Sequence, residues 1–357
     1  VFDDAIRVGV GITFLIRKKD TPGSAEIDLY QIDDYLKAKD KKEFLEKTES
    51  LSHVPLKRMT PDKKYNWLTK GMSAEFEAFI SMGTKEAKTS KGRDAQVIFG
   101  SHGYGVQTNR DAWVCNFNDN DLIHNIERTI ETYNTELNRW NIRQKPSVPL
   151  DDFVVYDDAK IQWSSRLKEC LLASMVAKFN PDNLRKALYR PFCHQNIYFD
   201  HIFVHRRGQS PSFFPTPEAE NLIIGVSGIS SNKPFQTLMA NIIPIADMLE
   251  KTQCFPFYIY DEDGRNRREN ITDWALEQFR AQYTPLPPSR GESPASSEAN
   301  PPLRGAGGCL LTKWDIFHYV YALLHHPQYR AKYAANLKRE LPRIPFVQSP
   351  FEGGRGD

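Results

Sequence analysis

No apolar run in this chain of 357 residues is long enough to cross a bilayer as a helix. The longest, residues 8–16, falls far short of the roughly 20 residues that a spanning helix needs. A signal-peptide pattern is missing too, because the chain opens Val1-Phe-Asp-Asp4. Cysteine is sparse: five residues, 115, 170, 193, 254 and 309, odd in number and with no Cys-x-x-Cys pair. That spacing supports neither a zinc knuckle nor a thioredoxin-like site, and a reducing, cytoplasmic setting fits it best. Net charge is almost absent at +2, so any grip on a polyanion must come from local clustering.

What is present is ordinary globular composition, 40% hydrophobic and 26% charged, enough for one large core or two modest ones. The chain lacks an initiator Met and ends Phe351-Glu-Gly-Gly-Arg-Gly-Asp357, as a segment of a longer polypeptide would. Processing would leave the same ends.

Residues 8–16 alternate Val8, Val10, Ile12, Phe14 and Ile16 with small or apolar neighbours, the pattern of an interior strand of an α/β sheet. A Pro-Gly turn at 22–23 leads to a second strand at 26–32, giving a hairpin, followed by a charged helix at 40–51. Residues 82–94 read as a mobile basic loop. A helix is expected at 121–140, with Leu122, Ile126, Ile130 and Leu137 on one face, stopped by Pro146 and Pro149. Strands are expected at 153–156, 197–204, 222–226 and 255–260, with a helix at 164–178, and another helix opens at Asn270. Residues 284–308 are Pro/Ser-rich and too poor in apolar side chains to offset ordering entropy, so disorder is expected there. Thr312-Lys-Trp-Asp315 is a capping box opening a helix, which His326-Pro327 breaks before a second one ending short of Pro342. This helical pair reads as packing, with a DNA-reading helix-turn-helix the weaker choice.

Several motifs fail on chemistry. Gly9-Val-Gly11 runs on as strand, whereas a turn holding S-adenosylmethionine must lead into a helix. Asn232-Lys-Pro-Phe235 resembles the motif that grips a flipped adenine, but Lys233 replaces its first proline, so it is read as non-catalytic. Asp62, Glu86 and Lys88 match a loose metal-nuclease pattern, although Glu86 sits in the basic loop. Asp261-Glu-Asp-Gly264 is read as a turn and His325-His326 as a helix end.

Two stretches resist dismissal. Gly105-Val-Gln-Thr-Asn-Arg-Asp-Ala-Trp113 sets amide, guanidinium and carboxylate side chains after a turn glycine. They suit either base-edge readout or a buried polar network. From 185 to 210, Arg185, Lys186, Arg190, Arg206 and Arg207 face one carboxylate, Asp200, among interleaved aromatics. Guanidinium groups bind phosphate bidentately and flat rings stack on bases, which suggests a nucleic-acid surface. A strand pair with rings in the core and solvated arginines would look the same in sequence.

With these segments together, the chain resembles the C-terminal part of Type ISP restriction–modification enzymes. The likeness rests on Gly105 to Trp113, Tyr189-Arg-Pro-Phe192 with Ile197-Tyr-Phe-Asp200, Val226-Ser-Gly228 with Lys233-Pro-Phe235, and Gln253-Cys-Phe-Pro-Phe-Tyr258. Asn270-Ile-Thr-Asp-Trp-Ala275, Lys313-Trp-Asp-Ile-Phe-His-Tyr-Val-Tyr321 and Asn336-Leu-Lys-Arg-Glu-Leu-Pro-Arg-Ile-Pro345 complete it. The insert at 284–308 is outside the family pattern, and the chain stops before the family's usual end.

The resemblance implies an α+β fold. Residues 1–75 would be the terminal strands of a Rossmann-like methyltransferase sheet plus a connector. Residues 76–357 would be a mixed α/β target-recognition domain with a C-terminal helical pair. It implies double-stranded DNA as partner, beside upstream methyltransferase, helicase and nuclease domains of the same polypeptide. S-adenosylmethionine would bind upstream, with no cofactor or complete catalytic site expected in this chain. Lys91, Arg93, Arg190, Arg206 and Arg207 are the candidates for phosphate contacts. Asn109, Arg110, Gln209 and Asn232 are those for base edges or the gap left by a flipped base, and Lys233 joins the nucleic-acid set. The alternatives are a self-sufficient nuclease or divergent methyltransferase, or a protein-interaction scaffold using the helices after Thr312.

Overall fold

The computed structural model describes residues 11–16, 25–32, 36–61, 67, 72–89, 95–144, 147–229, 231, 233–261, 263–283 and 311–347. They fall into two compact units, Val1–Gly71 and Met72–Asp357. The expected insert at 284–308 lies outside the described residues.

In the first unit the order is β1 (Ile27–Leu29), α1 (Ala38–Lys47) and β2 (Lys57–Met59). The hairpin expected between 8–16 and 26–32 is corrected: β1 pairs antiparallel with β2, and Arg58 ties the ladder to Asp28 and Glu26. Residues 11–16 carry no strand pairing, and Ile12, Phe14, Leu15 and Ile16 are exposed. Alternation alone cannot make a strand, because its amides and carbonyls need neighbours to pair with.

The second unit opens with β3 (Ile80–Ser81), α2 (Lys85–Thr89), β4 (Gly103–Tyr104), α3 (Asp111–Val114) and β5 (Cys115–Asn116). Part of the expected basic loop is therefore helical, and residues 90–94 lie outside the described set. Next comes α4 (Asp119–Asn141), which buries Leu122, Ile126, Ile130, Tyr133, Leu137 and Trp140 at steps of three and four. Asn118 Oδ1 caps it by accepting from the amides of Asn120 and Asp121, with Asp119 and Asp121 favoured at the positive end of its dipole.

Then follow α5 (Leu150–Phe153), α6 (Ser165–Leu172), β6 (Leu184–Arg190), β7 (Cys193–Tyr198) and α7 (Ser210–Phe213). The strand expected at 153–156 is absent: Pro149, Asp151 and Asp152 start a helical turn instead. The expected strand at 197–204 stops at Tyr198, because buried Asp200 accepts the Ile202 amide at 2.7 Å and turns the chain. Strands β5, β7, β6 and β10 (below) form one sheet, in the order β10-β6-β7-β5, and α4 covers it.

The remaining elements are β8 (Ile223–Val226), β9 (Thr237–Ala240), β10 (Ile243–Pro244), β11 (Gln253–Pro256), β12 (Tyr258–Ile259), β13 (Arg268–Glu269) and α8 (Asp273–Tyr283). After them come α9 (Lys313–His325), α10 (Pro327–Lys332), α11 (Ala334–Leu337) and β14 (Arg343–Ile344). A second sheet runs β4-β11-β8-β9. Its core joins Ile224, Val226, Phe255 and Phe257 to Phe279 of α8 and Ile316, Phe317, Val320 and Leu324 of α9. The Thr312 capping box forms as expected, and His326 ends α9 before Pro327. Among the described residues no helix is long and apolar enough to cross a membrane.

The two sheets meet through residues 105–107. Val106 bridges Ile245 in parallel and Gln107 bridges Arg206 antiparallel. Gly105 is required there: an added Cβ would lie 2.8 Å from the Ile245 carbonyl carbon and 2.9 Å from Ala246 Cα. Backbone cannot yield as a flexible side chain would. Gly105→Ala is expected to cost about 1–3 kcal/mol, seen as a lower denaturant midpoint in equilibrium unfolding.

Candidate nucleic-acid interface

Two sequence-distant stretches come together on the second unit. Gln107 and Arg206 exchange backbone hydrogen bonds, each 2.9 Å long. Beside them, an added Cβ on Gly103 would fall 2.9 Å from Gln209 Cβ, so segments 103–107 and 206–209 run in contact. On the other side, Asp111 accepts a hydrogen bond from Tyr189 Oη at 2.9 Å and another from Thr108 Oγ1. The segment from Gly103 to Asp111 therefore joins the 206–209 loop to the β6–β7 hairpin.

The hairpin has two irregularities. Leu188 faces His194 and Arg190 faces Cys193, leaving Tyr189 as a bulged extra residue. Bulges re-aim side chains, and this one turns Tyr189 toward Asp111. At the tip, Phe192 follows Pro191 with φ of +60°. Proline first and positive φ second is the pattern of a type II turn, whose second central position favours glycine.

The cations of 185–207 are held in different ways. Arg185 is half-buried and donates to the Phe214 and Thr216 carbonyls, and Lys186 reaches Asn196 Oδ1. Arg190 folds over the Tyr189 ring at 4.1 Å and donates to the Tyr189 carbonyl at 2.8 Å. Arg207 lies over Phe199 at 5.4 Å, while Arg206 is exposed. Asp200 neutralises none of them: its carboxylate takes the Ile202 amide, the Asn183 amide side chain and His201.

Arg206 and Arg207 line a cleft of about 970 Å³ with Arg166, Arg185, His201 and His205, opposed by Glu169, Asp182 and Glu218. Arg166 donates to the His201 carbonyl at 3.0 Å and faces Glu169. Burial, and then the neighbouring Arg206, hold His205 below its ordinary pKa.

Of the other expected site residues, Asn109 is exposed in the left-handed region at φ +53°, which asparagine tolerates. Gln209 is half-buried and Lys233 exposed, with the Lys233 amide on Ser231 Oγ at 3.1 Å. Lys91, Arg93 and Asn232 lie outside the described residues. Arg110 does not reach the surface: it is 3% exposed and none of its guanidinium nitrogens finds a partner among the described residues. Burial alone brings its pKa down to about 10, which leaves it charged. In this conformation it cannot touch a base edge. Glu86 and Lys88, from the nuclease pattern, stand on α2, and Asp62 lies outside the described residues. Among the described residues no group of three or more His, Cys, Asp or Glu side chains is placed to hold a metal.

The sequence profile of the Type ISP C-terminal specificity domain matches residues 97–352. The chain belongs to that family. As a Type ISP specificity domain it also resembles solved structures. One is the DrdV–DNA complex determined by electron cryo-microscopy, at 31% identity and TM-score 0.71 over 90% of this chain and 29% of that one. Another is a nuclease-deletion mutant of the Type ISP enzyme LlaGI with a DNA substrate mimic, at 25% identity and TM-score 0.68 over 90% and 22%. The ATP-dependent Type ISP enzyme LlaBIII bound to DNA shares the fold, at 22% identity and TM-score 0.65 over 85% and 18%. The chain spans less than a third of each of these chains. A search of curated proteins gives no match.

Sequence reasoning about this specificity domain missed the Tyr189–Asp111 tie, the strained Phe192 and the place of Arg166 in the cleft. Pro191 was a readable turn signal, but nothing local marks the bulge.

Proposed function

We propose that this specificity domain recognises duplex DNA by sequence and holds it for an adjoining adenine-N6 methyltransferase. One observation carries the reading. The β6–β7 hairpin carries Lys186 and Arg190 with no carboxylate of its own, and through Tyr189 and Asp111 it meets segment 103–111, which pairs with the exposed Arg206. Polyanion binding needs locally clustered cations, since the whole chain is nearly neutral. Similarity to DNA-bound Type ISP enzymes supports the same partner.

In this reading Lys91, Arg93, Arg190, Arg206 and Arg207 contact phosphates. Asn109, Gln209 and Asn232 serve base edges or the gap left by a flipped base, and Lys233 joins the nucleic-acid set. Residues 1–75 form the end of a Rossmann-like methyltransferase domain and its connector, and 76–357 the recognition domain. S-adenosylmethionine and the helicase and nuclease activities belong to upstream domains, and the assembly works in the cytoplasm. The flanking duplex is held and bent here while the methyltransferase extrudes the adenine.

The test is fluorescence anisotropy of a labelled duplex of about 30 base pairs, titrated from about 50 to 200 mM salt. Log affinity is expected to fall linearly with log salt, with a slope near −0.9 per neutralised phosphate. A flat response contradicts the reading.

A further inference from the structure

The tip of the β6–β7 hairpin holds a residue that neither folding nor packing explains. Phe192 is 86% exposed, so its ring stabilises no core. Its φ of +60° lies in the region that disfavours any side chain with a Cβ. Glycine would satisfy the turn better, and a polar residue would suit the solvent better. Strain of this kind persists where the surrounding structure enforces it, and it concentrates at functional sites.

The surroundings do enforce it. Pro191 fixes the first half of the turn, and the bulge at Tyr189 is pinned by the hydrogen bond from its hydroxyl to Asp111. Arg190 stacks on Tyr189, which sets a guanidinium two residues from the protruding ring. His194 is exposed across the ladder, and no carboxylate occurs between Leu184 and Tyr198. The tip thus presents one bare aromatic ring with the Arg190 guanidinium close behind it.

We propose that Phe192 is a wedge that inserts between stacked bases of bound duplex DNA, with Arg190 beside it toward the backbone. Apolar side chains that unstack a base step need a rigid mount and a cation near the phosphates, and this hairpin supplies both. The hairpin carries no acid of its own, and the one carboxylate against it, Asp111, is engaged by Tyr189 and Thr108, which favours a polyanion over a protein partner as the occupant. The proposal rests on the duplex-binding reading above and adds to it a specific distortion of the DNA.

The experiment compares a perfectly paired duplex of about 30 base pairs with one carrying a central mismatch, where unstacking costs less. Wild-type protein is expected to bind the mismatched duplex about tenfold more tightly. Phe192→Gly is expected to bind both alike, to keep the salt slope, and to melt no lower than wild type because the turn is relaxed. Phe192→Trp is expected to keep the preference. A preference that survives in Phe192→Gly overturns the wedge, as does wild-type protein that binds with a steep salt slope but ignores the mismatch. A lower melting temperature in Phe192→Gly shows that the ring serves the fold and also overturns it. A flat salt response of wild-type protein removes the duplex-binding reading itself, and the wedge with it.

Discussion

Replacing Arg206 and Arg207 together by alanine is expected to weaken duplex binding about 30-fold at physiological salt, or about 2 kcal/mol. The salt slope should become shallower by about 1.8, since each phosphate contact contributes about 0.9. Both residues line the 970 Å³ cleft, and Arg206 is exposed beside Gln107. The loss should be uniform across DNA sequences, because phosphates carry no sequence information. Anisotropy titrations of wild-type and doubly substituted protein, each at several salt concentrations, check this. Parallel slopes would place the phosphate contacts elsewhere.

The largest effect on stability is expected at Phe257. Its ring is fully buried, stacks on Trp314 of α9 with centroids 3.6 Å apart, and meets Phe317 edge-on at 5.3 Å. Phe257→Ala removes these contacts and leaves a cavity between the sheet carrying β11 and the C-terminal helices. The expected cost is about 3–5 kcal/mol, lowering the melting temperature by roughly 10 °C in thermal unfolding. α9 buries Ile316, Phe317, Val320, Leu323 and Leu324 against the core and leaves Asp315, His318, Ala322 and His325 exposed. In α11, buried Asn336 accepts the Ser73 amide at 2.9 Å, and in α10 Arg330 donates to the Phe235 carbonyl. These contacts tie α9 to α11 into the core of the second unit. A melting temperature unchanged in Phe257→Ala would contradict that.

What could be read from the sequence was local. The apolar steps of α4 and the Thr312 capping box follow from helical period and side-chain-to-amide bonding within four residues, and both appear in the structure. The family was legible because many short motifs occur in order. The pairing of β1 with β2 was not, since alternation sets which face a strand buries but not which strand lies beside it. The same limit hid the bridge between Gln107 and Arg206, almost a hundred positions apart. Arg110 shows the other failure. Its motif suits base readout and a buried network equally, and burial decided against readout without supplying a described partner. Phe192 went unread because a proline turn calls for glycine, and only coordinates reveal that the ring is left bare.

Hydrogen–deuterium exchange with and without saturating duplex tests most directly where the nucleic acid lies. Slower exchange is expected in residues 103–111, 186–195 and 205–210, with α9 to α11 unchanged. Protection confined to 313–337, or none anywhere, would contradict the account.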